Sequence, residues 1–242
     1  MGRGAGEDRQ GPATMVSSSR EAVTFEGSSR MYRLYWDAGT AAMAPHALLE
    51  EIGAPHELVR VDTDKGEQHS DWYRKINPNA RVPSFAHDGR VMYESAAIVL
   101  YLADLHPQAG LAPAIGDPAR ALYLQWMAYL TNTVQEALMA WHHSEHYAAD
   151  EASRAAVKAN APRRLAALWQ RLDGVVSPYL LGQRLTAADI YLVMLCRWSR
   201  KLEKPATTYP NLKRLIDLVT ARPAWQRMMA AEGINWAGNL AA

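Results

Sequence analysis

A carboxylate and a hydroxyl stand side by side before an apolar segment, since Glu94 and Ser95 precede residues 96–105. We predict that Ser95 is the N-cap of a helix, because serine is favoured at that position. The free N–H groups and the positive dipole end of a helix start attract anions. A carboxylate beside an anion site suits a ligand that carries a cation next to its anion. An α-amino acid head group is such a ligand.

A proline dipeptide lies shortly before this pair. Val82-Pro83 precedes a predicted strand at 84–86, and X-Pro bonds are the usual place for cis peptides. A cis bond would turn the N–H and C=O of Val82 toward the backbone of a ligand, whereas the alternative is an ordinary edge-strand proline. Asp88-Gly89 between two short apolar runs predicts a β-hairpin. Together these features predict a small-molecule site built mostly from backbone.

The segment resembles the glutathione site of the cytosolic glutathione transferase family. In that family the residue before a cis-proline pairs with the backbone of the cysteine of glutathione. An acidic residue followed by serine or threonine holds the γ-glutamyl group. The resemblance assigns these roles to Val82, Pro83, Glu94 and Ser95, and it extends over residues 31–233. It implies glutathione as co-substrate and a homodimeric assembly.

The glycyl carboxylate of glutathione calls for a basic partner. Arg81 directly precedes the proline dipeptide, and His46 lies in the first predicted helix. These are the two basic residues that we would test for this contact. The alternative for Arg81 is an exposed side chain without a ligand.

The thiol of glutathione has a pKa near ~8.5, so an activating enzyme must stabilise the sulfur as an anion. The family does this in the loop after the first strand, here residues 37–46. The loop is similar to that of the bacterial beta class, but Ala41 and Ala42 stand where that class has cysteine and serine. Trp36 stands where the mammalian classes have tyrosine. One alignment places Thr40 on the serine of theta-like transferases.

We therefore predict that Thr40 donates a hydrogen bond to the thiol, helped by the backbone N–H groups of Ala41 and Ala42. The alternative is that Thr40 only caps the helix predicted over 41–52. The two roles compete, because one hydroxyl proton cannot serve two acceptors.

The order of elements predicts an α/β thioredoxin-like domain over 31–106, a linker at 107–117 and an all-helical domain over 118–242. Two prolines and two glycines lie in the linker, and Pro118 follows it directly. The first domain should contain a βαβ unit, a short helix, the hairpin and a further helix, at 32–36, 41–52, 56–62, 70–76, 84–93 and 96–105. Residues 1–30 are polar and glycine-rich, which predicts a disordered extension, unless translation starts at Met15 or Met31.

The second domain should contain long helices over 119–146 and 152–175, followed by three more. Thr186 and Asp189 form a capping-box pattern, to which we assign a structural role. Tyr209-Pro210 and Arg222-Pro223 should begin the last two helices.

The electrophile is poorly specified by the sequence. Gln135 stands where the beta class has a histidine. Candidates for the wall of the electrophile pocket are aromatic or hydroxylated residues, for each of which core packing is the alternative: Trp126, Tyr129, Thr133, Trp141 and Trp236. His142, His143 and His146 lack a second ligand pair, so we favour a solvated helix end and predict no metal site.

Composition narrows the partners further. The chain has 242 residues, 49% of them hydrophobic, and a formal net charge of +1, which favours neither nucleic acid nor an acidic membrane. No run is apolar enough for a membrane span, and the single Cys196 is typical of a reducing cytoplasm, where we expect the protein.

The leading hypothesis is a glutathione transferase that attacks a small apolar electrophile. A dehalogenase, an ether-cleaving enzyme or an isomerase would use the same thiolate. A second class is a non-catalytic member that binds glutathione or other ligands, which Ala41, Ala42 and Gln135 favour.

Overall fold

Five strands form one mixed sheet in the computed structural model, which describes residues 15–17 and 31–238. The strands are β1 Met15–Ser17, β2 Tyr32–Trp36, β3 His56–Arg60, β4 Ser84–His87 and β5 Arg90–Tyr93. Their order across the sheet is β1, β3, β2, β4, β5. The first three pair in parallel, whereas β4 runs antiparallel to both β2 and β5. The strands and the hairpin predicted after residue 30 are confirmed.

Two of the described helices lie between the strands of this sheet, and the other helices follow it in the chain. In the described part of the chain they are α1 Met43–Ile52, α2 Asp71–Arg74, α3 Ser95–Leu105, α4 Ala119–Tyr129, α5 Glu136–His142, α6 Glu151–Asp173, α7 Ala187–Trp198, α8 Pro210–Thr220 and α9 Pro223–Ala231. The thioredoxin-like fold followed by a helical domain is confirmed. Both predicted proline-led helix starts are also confirmed, with Pro210 and Pro223 as first residues.

The first 30 residues were predicted to lack ordered structure. Strand β1 lies within this stretch, and Val16 pairs in parallel register with Leu58 of β3. The other residues of the predicted extension, before residue 15 and from 18 to 30, lie outside the described residues.

Alternation along the strands divides their side chains between two apolar layers. Leu34, Leu58 and Phe85 are fully buried on the face that joins the main core with α1, α3 and the helical domain. Tyr35 and Val59, one residue further along, belong to a smaller cluster on the other face. The period of two in the strands therefore sets which residues reach the second domain.

The long helix predicted over 119–146 is interrupted. A π-helical segment, Leu130–Gln135, separates α4 from α5. A wider turn of this kind is rare and is often found at functional sites. It changes the phase of every side chain that follows it.

Helix α7 is the centre of the second domain, and all of its residues are buried. Its predicted cap is confirmed: Asp189 accepts hydrogen bonds from the Thr186 N–H and hydroxyl, both at 2.8 Å, and from the Leu180 N–H at 2.7 Å. Burial raises the pKa of the Asp189 carboxyl to about 6, although these bonds oppose the shift. Asp189 lies in the fold's interior, which agrees with a structural role.

None of the helices in the described ranges has the length and apolar character needed to cross a membrane.

Candidate functional site

A cleft of about 900 Å³ lies between the α/β domain and the helices. The structure brings all of the predicted site residues to its lining: Thr40, Arg81, Val82, Pro83, Glu94 and Ser95. They come from three separate segments, namely the loop after β2, the turn before β4 and the start of α3.

The turn before β4 is fixed by polar side chains that sequence reasoning missed. The Val82–Pro83 peptide is cis, as expected. The carbonyl of Arg81 accepts hydrogen bonds from the Tyr73 hydroxyl at 2.8 Å and from Asn77 Nδ2 at 2.7 Å. Burial raises the pKa of the Tyr73 hydroxyl, so it stays a donor at all ordinary pH values. The sequence pattern that could have indicated this turn is Asn-Pro-Asn, which begins at Asn77.

The start of α3 differs from the prediction. Ser95 is the first helical residue, not the N-cap, and Glu94 precedes the helix with φ of 73°. The Ser95 hydroxyl donates to the carbonyl of Ala41 at 2.6 Å, and α3 has no side-chain capping hydrogen bond. The N-cap prediction is therefore wrong. The buried Ser95 instead ties α3 to the loop after β2, and Glu94 stays exposed at the cleft.

Thr40 has a local partner in that loop. Its hydroxyl donates to the carbonyl of Asp37 at 2.7 Å and accepts a long hydrogen bond from the Ala42 N–H at 3.3 Å. Helix α1 begins only at Met43, so Thr40 is not its N-cap. The hydroxyl must turn away from Asp37 before it can donate to a ligand in the cleft.

The second domain holds the same loop at Gly39. The Gly39 N–H donates to Glu232 Oε2 at 3.0 Å, and the Gly39 carbonyl accepts from Trp198 Nε1 at 3.0 Å. The other oxygen of Glu232 lies 3.0 Å from Nδ1 of His46. Gly39 has φ of 70°, a left-handed conformation that favours glycine. Sequence reasoning missed these anchors, since neither has a local pattern.

Two family models cover most of the chain. The glutathione S-transferase N-terminal domain matches residues 32–104, and the glutathione S-transferase C-terminal domain matches residues 103–223. The chain belongs to the glutathione S-transferase family. The two models meet near the domain boundary that we propose at residues 106–107.

Individual relatives of this transferase agree. Glutathione S-transferase GstA of Escherichia coli O157:H7 is 26% identical over 84% of this chain and its own full length. Maleylacetoacetate isomerase of Pseudomonas aeruginosa is 28% identical over 74% of this chain and 84% of that protein. A glutathione transferase homologue from Sulfitobacter, solved with bound glutathione, superimposes with a TM-score of 0.80 and 30% identity over 86% of this chain and all of that one.

The helical-domain side of the cleft is more polar than expected. Of the described residues that line it, none is among the five predicted wall candidates, and Trp126 is buried in the core. The wall prediction is wrong: Trp126 packs in the core, and the π-helical segment changes the phase of Thr133 and Trp141. The residues that line this side come mostly from the π-helical segment, α5 and the end of α7: Thr131, Asn132, Gln135, Glu136, Met139, His142, Trp198 and Arg200. Gln135 accepts a hydrogen bond from the Tyr191 hydroxyl.

The histidines at the end of α5 lie at an exposed helix end, as predicted. His142 Nε2 lies 3.1 Å from the carbonyl of Trp198, whereas His143, Glu145 and His146 form an exposed group with ligand atoms within 4.8 Å of one another. His46 is fully buried outside the cleft lining, so its predicted contact with the glycyl carboxylate is wrong.

Proposed function

We propose that this transferase binds glutathione against its first domain and activates the thiol at the loop after β2. Val82 and Pro83 take the cysteinyl backbone, and Glu94 takes the α-amino group of the γ-glutamyl residue. The free N–H groups at the start of α3, beside Ser95, take its carboxylate. Arg81 takes the glycyl carboxylate. One observation carries this proposal: residues from three separate segments line one cleft.

The reaction needs the thiol as a thiolate. The sulfur lone pair then forms a bond to an electrophilic carbon, and either a leaving group departs with its electron pair or an adjacent atom gains a proton. We propose that Thr40 donates to the sulfur after its hydroxyl turns from the carbonyl of Asp37, helped by the backbone N–H groups of Ala41 and Ala42. A donor aimed at an anionic sulfur lowers the thiol pKa.

The test is a titration of the bound thiol. Thr40→Ala should raise its pKa by about one to two, because a hydrogen bond to a charged group contributes about 1.5 to 3 kcal/mol. Thr40→Ser should keep most of the activity. The readout is thiolate absorbance of the glutathione complex against pH, beside turnover.

The matched control is Thr131→Ala. Thr131 lines the same cleft, and its hydroxyl bonds to carbonyls of its own helix, so the titration should not move. An unchanged titration in Thr40→Ala would end the proposed role of Thr40.

The electrophile separates two candidate functions. A transferase that conjugates a small apolar electrophile consumes one glutathione in each turnover. Isomerisation is the second candidate, favoured by the similarity to maleylacetoacetate isomerases, and it returns the glutathione unchanged. Counting free thiol against product for each test substrate distinguishes the two. Retention on immobilised glutathione with no turnover of any substrate would favour a binding protein instead.

We also propose a cytoplasmic homodimer. The one cysteine is free and buried, which suits a reducing compartment. Tyr101 and Leu105 of α3 and Leu122 of α4 are each more than a third exposed, and such apolar side chains suit contact with a second copy. Light scattering should give twice the 26.9 kDa chain mass for the protein and less for Leu122→Glu.

A further inference from the structure

Three side chains with metal-ligating atoms converge beneath α1, outside the glutathione cleft. His46 and Glu50 are one turn apart on the helix, and His56 is the first residue of β3. All three are at least nine-tenths buried. One ligand atom from each lies within 4.8 Å of the others, and His56 Nε2 is 3.7 Å from Glu50 Oε1.

The partners of the two imidazole rings fix where their protons are. Nδ1 of His46 faces a carboxylate oxygen of Glu232 at 3.0 Å, and Nδ1 of His56 faces the carbonyl of Ala54 at 2.8 Å. Both partners are acceptors, so each Nδ1 carries a hydrogen. Each Nε2 of a neutral ring then carries a lone pair, and that of His56 lies 3.7 Å from Glu50 Oε1.

Neither Nε2 atom has a hydrogen-bond partner among the described residues. Two buried imidazole nitrogens without partners therefore lie close to a carboxylate that also bonds Arg227, and a cation would satisfy both nitrogens. Histidines that bind metals almost always donate their other N–H to a carboxylate or a backbone carbonyl. His46 has the carboxylate of Glu232 as this partner, and His56 has the backbone carbonyl of Ala54.

We propose that His46 Nε2, His56 Nε2 and the Glu50 carboxylate bind one divalent transition-metal ion, of which Zn²⁺ is the best match. Two imidazoles and a carboxylate are a common three-residue zinc set, and a water completes four ligands. Hard ions such as Mg²⁺ and Ca²⁺ prefer sites made of oxygen atoms.

The cluster is connected to the protein surface on one side and to the loop after β2 on the other. Arg227 bonds Glu50 Oε2 at 2.6 Å, and its side chain is half exposed, so it lies between the cluster and solvent. On the other side, Glu232 joins His46 to the N–H of Gly39. A bound ion would hold α1 to β3 at a point two hydrogen bonds from the thiol loop.

The experiment is a metal titration of the full chain. The protein is stripped with a chelator, and Co²⁺ is added as a spectroscopic substitute for Zn²⁺. We expect one equivalent with the visible absorption of a tetrahedral site, displaced by Zn²⁺, and a thermal midpoint that rises with Zn²⁺. His56→Gln should weaken Co²⁺ binding by about 100-fold or more, because losing a ligand exceeds the roughly 10- to 100-fold effect of losing a partner that orients one.

The control is the double variant His143→Gln with His146→Gln, which removes the exposed group and should keep the cobalt spectrum. His56→Phe serves as the second ligand variant if His56→Gln has lost its circular dichroism. A wild-type protein without the cobalt spectrum would overturn the proposal. Equal affinity in wild type and His56→Gln, or a spectrum lost only in the double variant, would overturn it as well.

Discussion

The two ends of the glutathione cleft are held in place by different parts of the chain. At the cis-proline turn, the carbonyl of Arg81 is fixed by Tyr73 and Asn77, eight and four residues away. At the thiol loop, Gly39 is fixed by Trp198 and Glu232, 159 and 193 residues away. The first end depends on contacts within one domain, whereas the second is complete only when both domains pack together. Binding of glutathione and activation of its thiol should therefore respond differently to mutation.

The largest effect is expected at Glu232. Glu232→Ala removes the acceptor of the Gly39 N–H and the partner of His46, each a hydrogen bond to a charged group in the interior. We expect the free energy of unfolding to fall by about 3 to 5 kcal/mol, and turnover to fall more than glutathione affinity. Urea denaturation and calorimetry measure the two quantities.

Glu51→Ala is the matched control for that variant. Glu51 also joins α1 to the start of α9, through a partly exposed ion pair with Arg222. Such a pair contributes about 1 kcal/mol or less, and it makes no contact with Gly39. If both variants reduce turnover equally, the thiol loop does not depend on Glu232.

The next effect concerns the helix that brings Trp198 to the loop. The Asp189 carboxyl at its start has a pKa raised from 3.8 to about 6 by burial. Between these values the folded protein binds a proton that the unfolded chain has released, so stability from this group is greatest near pH 4 and falls as pH rises. The expected loss is about 3 kcal/mol by pH 6 and above.

Asp189→Asn removes this titration. The wild-type advantage over Asp189→Asn in urea denaturation should therefore shrink from pH 4 to pH 7. A constant difference would show that Asp189 is ionised throughout in the folded protein. If turnover shows the same pH dependence as stability, the Asp189 cap of α7 influences the loop that Trp198 contacts.

Glu94 tests the other end of the cleft. Glu94→Gln should weaken glutathione binding by about 1.5 to 3 kcal/mol, since it removes the charged partner that we propose for the α-amino group. The bound thiol titration should stay in place, because Glu94 belongs to the binding half. Glu136→Gln on the opposite wall is the control and should leave affinity unchanged. Calorimetry that gives wild-type affinity for Glu94→Gln would contradict the assignment.

The smallest effect is expected at Trp198. Trp198→Phe removes the donor to the Gly39 carbonyl and keeps an aromatic ring, at a cost of about 1 kcal/mol in stability. Turnover should fall while glutathione affinity holds. Trp169→Phe is the control, since the indole N–H of Trp169 is buried without a partner among the described residues. Equal turnover in the two variants would mean that Trp198 does not position the loop.

The sequence predicted the features that depend on neighbouring residues and missed those that depend on contacts between distant segments. Asp88-Gly89, the capping box and the proline-led helix starts are local patterns, and the structure contains each of them. Ser95 failed as an N-cap because the helix begins at Ser95 itself, and its hydroxyl donates to a carbonyl 54 residues away that no local pattern reports.

For Thr133 and Trp141, the wall prediction failed for a geometric reason. In an α-helix each residue turns by about 100°, so the wider turn at Leu130–Gln135 rotates everything after it. Gln135, Met139 and His142 then line the cleft, while Trp126 upstream stays in the core. Single-sequence periodicity carries no sign of such an inserted turn.

The two bonds at Gly39 have an evolutionary consequence. The second domain holds the loop through backbone atoms of Gly39, so these two bonds do not involve the side chains of Thr40, Ala41 and Ala42. A lineage can therefore exchange the chemical group offered to the sulfur without redesigning the scaffold beneath it. The same independence makes Ala41→Cys a conservative engineering step, which would present a second thiol at the cleft while the surrounding architecture stays unchanged.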